Sequence, residues 1–120
     1  MNSQDVEIYV VLASGVYVYE ADPHRLRPVV AGDQRSKIGA PAAAKAAVTL
    51  VYVIKESDHW GEVDTGFIGQ NVYLFAASAG LNAWFYAMHG PEETANVAKT
   101  LKLDTGNKPI FAQSVGFPPQ

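Results

Sequence analysis

Residues 65–79 are apolar on nearly every side of a helix, and this stretch limits what the rest of the chain can do. Phe67, Ile68, Val72, Tyr73, Leu74, Phe75, Ala76 and Ala77 are interrupted only by Gln70, Asn71 and Ser78. Asp64 stands where an N-cap belongs, and Gly80 stands where a helix stops. A helix with no polar face has to be covered all round. The chain has 120 residues, of which 48% are apolar and 18% charged. It has too little mass of its own to wrap such a helix. The stretch is therefore predicted to lie as an occluded rod between two copies of the chain.

Around it, strands and helices alternate. Residues 6–12 and 16–19 are β-branched and aromatic, and predict a hairpin joined by Ala13, Ser14 and Gly15. A third short strand, 26–30, contains Pro28, which places it at a sheet edge. Asp33 is a candidate N-cap for a helical stretch over 34–47 that Pro41 divides. Residues 49–54 form a continuous apolar run, suited to a strand buried on both faces. Residues 55–62, with Trp60 and Gly61, predict a loop. A buried strand is expected over 83–88, then a helix from Gly90, with Pro91 at its first position and Glu92 and Glu93 in its first turn. Its apolar stripe is Ala95, Ala98, Val97 and Leu101. After a loop over 104–109, a last strand runs from 110 to 115. This is one α+β domain over residues 1–120.

Much chemistry is excluded. With no cysteine, the chain has no disulfide, thiolate nucleophile or iron–sulfur ligation. His24, His59 and His89 lie far apart in turns or loops. They have neither metal spacing nor a nucleophile elbow beside them. The Gly66 to Gly69 spacing is not a dinucleotide fingerprint. A formal charge of −3 with scattered Lys and Arg argues against nucleic acid. No run is long and apolar enough for a membrane span, and the first residues lack a signal-peptide pattern. The expectation is a cytoplasmic protein.

Residues 64–81, Asp-Thr-Gly-Phe-Ile-Gly-Gln-Asn-Val-Tyr-Leu-Phe-Ala-Ala-Ser-Ala-Gly-Leu, resemble the central helix of the nitroreductase family. That helix carries a D-x-G-x-x-x-Q-N-x-x-L-x-A-x-x-x-G-L pattern. Met1-Asn-Ser-Gln4 resembles the family's P-S-x-x-N-x-Q segment. Residues 15–35 resemble the hairpin of its thiazoline/oxazoline-dehydrogenase-like branch. Ser114-Val-Gly-Phe-Pro118 resembles its closing strand. The resemblance covers nearly the whole chain in order. It implies a nitroreductase-like fold: a mixed, mainly antiparallel sheet with a buried central helix, in a homodimer. It also implies FMN at the dimer interface, NAD(P)H as electron donor, and a nitro, quinone or similar acceptor.

Carried over position by position, the resemblance makes Asn2, Gln4, Gln70, Asn71, Phe85, Tyr86, Ala87 and Met88 cofactor-binding. Backbone amides in 85–88 approach N5 and O4 of the flavin. Gln70 and Asn71 can equally be buried polar groups satisfied by helix or dimer contacts. No catalytic side chain and no metal site are assigned. The family's leading segment, whose Arg and Ser grip the FMN phosphate, has no counterpart here. The chain is therefore read as N-terminally truncated, with weak or absent FMN binding when alone, and with Arg35 and Lys108 as the available phosphate cations. Two functions follow. One is an FMN-dependent oxidoreductase of reduced size. The other is a cofactor-free, dimeric nitroreductase-fold module that binds small molecules or partners. On this reading, a central helix solvated along one side in a lone protomer would count against the kinship itself.

Overall fold

A computed structural model of the chain describes residues 6–22, 24–38, 43, 45–55, 59–88 and 90–117, the side chain of His59 excepted. Its six strands are β1 (Glu7–Leu12), β2 (Gly15–Glu20), β3 (Arg25–Ala31), β4 (Val48–Lys55), β5 (Asn82–Ala87) and β6 (Asn107–Gly116). They form one sheet in the order β3-β2-β1-β4-β6-β5, antiparallel at every pairing. Helix α1 (His59–Ala79) lies on one face. Helix α2 (Gly90–Leu101) and a 3-10 turn, Arg35–Lys37, lie on the other.

The hairpin is tighter than its sequence predicts. Leu12 pairs with Gly15, so Ala13 and Ser14 alone make the connection. Strand β3 is an edge as Pro28 requires. The register shifts beside Pro28, so Tyr17 faces Pro28 while Val16 faces Val30. Asp33 does not cap a long helix. Its Oδ1 accepts from the Arg35 N–H at 3.1 Å, an Asx-type turn two residues on. Residues 39–42 and 44 of that predicted helix lie outside the described residues.

The core between sheet and α2 gathers Val11, Val16, Val51, Val53 and Ala112 from the strands. They pack against Ile38, Ala43, Val97 and Leu101. The stripe predicted for α2 holds at Val97 and Leu101, both fully buried, whereas Ala95 is exposed. Strand β4 is the most enclosed, with Val51, Tyr52, Val53 and Ile54 all buried. It lies between β1 and β6 and is covered on both faces.

Helix α1 differs from expectation in two ways. It begins at His59, so Trp60 and Gly61 are helical and Asp64 lies inside the helix. It is also buried along one side only. The side on the sheet carries Gly61, Thr65, Gly69 and Ala76. The large apolar side chains point away: Trp60, Phe67, Leu74 and Phe75 are each at least 60% exposed. Small residues at this spacing share a face and let the helix axis approach the strands. Helix-disfavouring glycines are kept because this close seat outweighs propensity. The helix ends in a Schellman turn. Gly80, at φ +73, donates to the Ala77 carbonyl at 3.3 Å, and Leu81 donates to Ala76 at 2.8 Å.

Strand β5 is an edge, not the buried strand the sequence predicts, and Trp84 on it is 62% exposed. The apolar composition of 82–87 reflects packing under α1 on one face, and on the other Tyr86 against the second core beside an exposed Trp84.

Helix α2 ends in the same turn with Lys102 at φ +57; Lys102 donates to Lys99 at 3.1 Å and Leu103 donates to Ala98 at 3.0 Å. A side chain at that φ is strained. Lys102→Gly is expected to raise the unfolding free energy by about 1 kcal/mol and the Tm by several degrees. Calorimetry of the two proteins checks this.

Candidate functional site

The contact between α1 and the sheet is built around a buried amide. Gln113, fully buried on β6, accepts the Tyr52 hydroxyl at 2.6 Å and donates to the Gly69 carbonyl at 3.1 Å. One side chain thus ties strand β4 to the middle of α1 with both amide ends bonded, as burial demands. The Phe85 ring lies against Gly69, and a Cβ added there would sit 2.6 Å from it. The same ring packs on Phe111, centroids 4.8 Å apart, and on Tyr52, 5.9 Å apart.

Burial holds the Tyr52 hydroxyl well above the ordinary phenol range, and burial likewise raises Tyr9 and Tyr86. Each folded phenol keeps its proton at a pH where the unfolded chain has lost its own. Their contribution is complete below about pH 10 and declines as pH rises beyond it. Tyr52→Phe is expected to cost about 1 kcal/mol at pH 8 through the lost hydrogen bond. It should also make the fall in stability above pH 10 shallower, as read by denaturant titration across that range.

On the far face of β5, Tyr86 turns into the other core. Its hydroxyl is 3.3 Å from Ser114 Oγ, which lies 2.9 Å from Thr49 Oγ1. The side chains of Phe85 and Tyr86 are each half-buried against a different layer. What residues 85–88 can offer a ligand is backbone. Met88 N–H donates inward to the Ile110 carbonyl at 3.2 Å. Alternation along the strand then turns the N–H groups of Phe85 and Ala87 outward, away from β6. Phe85 N–H donates to the Tyr73 hydroxyl at 2.6 Å.

Where β5 ends, an open cleft of ≈ 590 Å³ lies between α2 and the start of β6. Ala87, Met88, Thr94, Lys108 and Phe111 line it, and Glu62 at the start of α1 lies at its rim. Lys108 is the single cation among the described residues of this lining. Arg35 is committed elsewhere. It forks onto Asp33 at 2.9 and 2.8 Å and donates to the Ala46 carbonyl at 3.2 Å. That guanidinium holds the Asp33 carboxyl below its usual range.

The eight sequence-predicted site residues are thus only partly gathered. Ala87 and Met88 meet at the cleft. Gln70 is exposed on the flank of α1 that also carries Glu62, Gly66 and Tyr73, the flank nearest the outer edge of β5. Asn71 is exposed on the outer face of α1. Neither is a buried polar group in the protomer. Asn2 and Gln4 lie outside the described residues. Tyr73 and Gln113 are absent from the predicted set. Tyr73 counts as one more apolar residue in a one-dimensional pattern, and Gln113 interrupts an apolar strand with no motif around it. The polar pair Gln113-Ser114 in a strand stretch that otherwise reads as core was the available signal for Gln113. Among the described residues, no group of three His, Asp or Glu could hold a metal ion, and no helix is long and apolar enough to cross a membrane.

A six-stranded antiparallel sheet, with a glycine-seated apolar helix on one face and a capped helix on the other, is a nitroreductase-like α+β fold. The chain belongs to the nitroreductase family, whose model matches residues 1–117. It is similar to a nitroreductase-type protein of Ralstonia eutropha JMP134, with 26% identity and TM-score 0.85 over 98% of this chain and 60% of that one. It is similar in fold to the E. coli microcin synthetase complex, at 22% identity and TM-score 0.78 over 97% and 53%. A third similarity is to the NADPH:FMN oxidoreductase of Vibrio harveyi complexed with NAD+, at 23% identity and TM-score 0.65 over 98% and 52%. The chain therefore spans between half and two-thirds of the length of these three proteins. No curated protein matches it. The kinship holds although α1 is solvated along one side of the protomer, so the condition set from periodicity alone was wrong.

Proposed function

We propose that this chain is the flavin-holding part of an FMN-dependent oxidoreductase of nitroreductase type. It works as a homodimer in the cytoplasm and passes electrons from NAD(P)H to a nitro, quinone or similar acceptor. The observation that carries this reading is the outer edge of β5, where the outward Ala87 amide lies beside a cleft on a nitroreductase-like scaffold. A flat ring system with carbonyl and imine acceptors suits such an edge. The ring end fits these residues. The phosphate end would meet Lys108 alone among the described lining, which favours modest affinity. When bound, FMN supplies the ring that takes up and passes on hydride.

The chain's own part is to orient that ring and exclude water. The Ala87 N–H donates to its acceptor edge, and Met88 packs beside it. Phe85, locked between Gly69 and Phe111, holds the strand in place. Gln70 faces the same edge from α1, while Asn2, Gln4 and Asn71 join the site through family resemblance. The exposed outer face of α1 supports dimerisation, since it carries Trp60, Val63, Phe67, Leu74 and Phe75, all exposed.

FMN titration of the purified chain tests the proposal. The expected result is quenching of flavin fluorescence and a yellow protein that sediments as two chains. A colourless protein that leaves FMN fluorescence unchanged at high micromolar concentration overturns it. If that protein is still dimeric, the cofactor-free binding module is favoured.

A further inference from the structure

The Tyr73 hydroxyl occupies an unusual place. It reaches from α1 past the Phe85 ring to the outer margin of the sheet, where it accepts the Phe85 N–H at 2.6 Å. Tyr73 remains 36% exposed, so this bond is made at the wet edge and not inside the core. A buried backbone N–H must be paired, but one at a solvated edge has water available. Edge covering alone therefore does not account for a side chain held there. The opposite edge of the sheet is protected by other means: Pro28, a register shift, and Arg25 and Arg27 paired with Glu20 at 2.7 and 3.1 Å.

One lone-pair direction of Tyr73 Oη is taken by the Phe85 N–H. The O–H then points away from that amide. A hydroxyl that already accepts a hydrogen bond is the stronger donor. Two residues along, the Ala87 N–H faces the same way by strand alternation. The flank of α1 between them presents Gly66, where an added Cβ would meet nothing within 4 Å, and the exposed Gln70.

We propose that the Tyr73 hydroxyl is a ligand-contacting donor. Together with the Ala87 N–H, it makes a two-donor edge for a planar heteroaromatic ring that carries carbonyl and imine acceptors. This rests on the flavin reading above and adds to it a side chain outside the predicted site. Gly66, where an added Cβ would meet nothing within 4 Å, lies on the same flank of α1. The Phe85 amide sets the orientation of the hydroxyl and is not itself presented to the ligand.

The test compares wild type with Tyr73→Phe, which removes one oxygen and keeps the ring. FMN binding is followed by fluorescence quenching and by the position of the bound flavin's visible bands, with the Tm as a separate readout. The expected result is an FMN Kd raised about three- to tenfold, displaced visible bands, and a Tm within a few degrees of wild type. An unchanged Kd and spectrum, whatever the Tm does, overturns the proposal and leaves Tyr73 as a structural edge cover. Wild-type protein that binds no FMN instead overturns the flavin reading and this inference with it. In the wild type, FMN should also slow nitration of Tyr73 by tetranitromethane, as read by peptide mass. An equal rate with and without FMN counts against the contact.

Discussion

Phe67→Asp combined with Phe75→Asp is expected to turn the proposed homodimer into single chains and to abolish the proposed FMN binding with it. Both rings stand on the outer face of α1, at 66% and 65% exposure in the protomer. Leu74 and Trp60 are likewise exposed, at 60% and 67%. Burying a phenylalanine side chain contributes roughly 1.5–3 kcal/mol. Two rings from each of two copies therefore account for roughly 6 kcal/mol or more of the association, before the cost of burying four carboxylates is added. That corresponds to a dissociation constant weaker by a factor on the order of 10⁴. The folded protomer should survive, because neither ring touches the sheet-facing stripe of Gly61, Thr65, Gly69 and Ala76. Sedimentation velocity across a concentration series reads the first effect, and far-UV circular dichroism checks the second. A variant that still sediments as two chains places the interface elsewhere.

Gly69→Val is expected to cost about 3 kcal/mol of stability and to lower the Tm by more than 10 °C. The first added carbon already sits 2.6 Å from the Phe85 ring. The ring cannot step aside, because Phe111 and Tyr52 pack on it at 4.8 and 5.9 Å. The helix must lift instead. Lifting it stretches the 3.1 Å bond from Gln113 to the Gly69 carbonyl and strands a buried amide. Gly66 is the internal control. It sits one turn away in the same helix with nothing within 4 Å of its added Cβ, so Gly66→Ala should gain about 0.5–1 kcal/mol from helix propensity. Gly69→Ala should lose stability despite the same propensity gain. The opposite signs, measured by urea unfolding, distinguish a steric seat from a general tolerance of alanine. Equal effects at the two positions would remove the close approach as the reason for Gly69.

Local chemistry made much of this molecule legible in one dimension. The β-branched runs at the start of the chain gave a hairpin. Pro28 placed its strand at an edge because a residue without an N–H cannot sit in mid-sheet. Gly80 ended a helix because φ +73 suits a residue without Cβ. Gly90 and Pro91 opened the next. The motif over 64–81 carried the resemblance to the family, through its match to a D-x-G-x-x-x-Q-N pattern.

What only the tertiary structure decided is direction. Helical periodicity reports that a residue is apolar, not which way its side chain is covered. It could not reveal that glycine and threonine face the sheet while phenylalanines face outward. It placed the helix start at Asp64 rather than His59, because Trp60 and Gly61 are poor helix formers until a sheet packs beneath them. It made β5 a buried strand, because an edge strand under a helix and a central strand have the same composition. Above all, the roles of Tyr73 and Gln113 come from contacts 12 and 44 residues away along the chain, to the Phe85 amide and the Gly69 carbonyl. A hydrogen bond joins groups that the fold brings together, and the spacing of residues along a sequence holds no record of that distance.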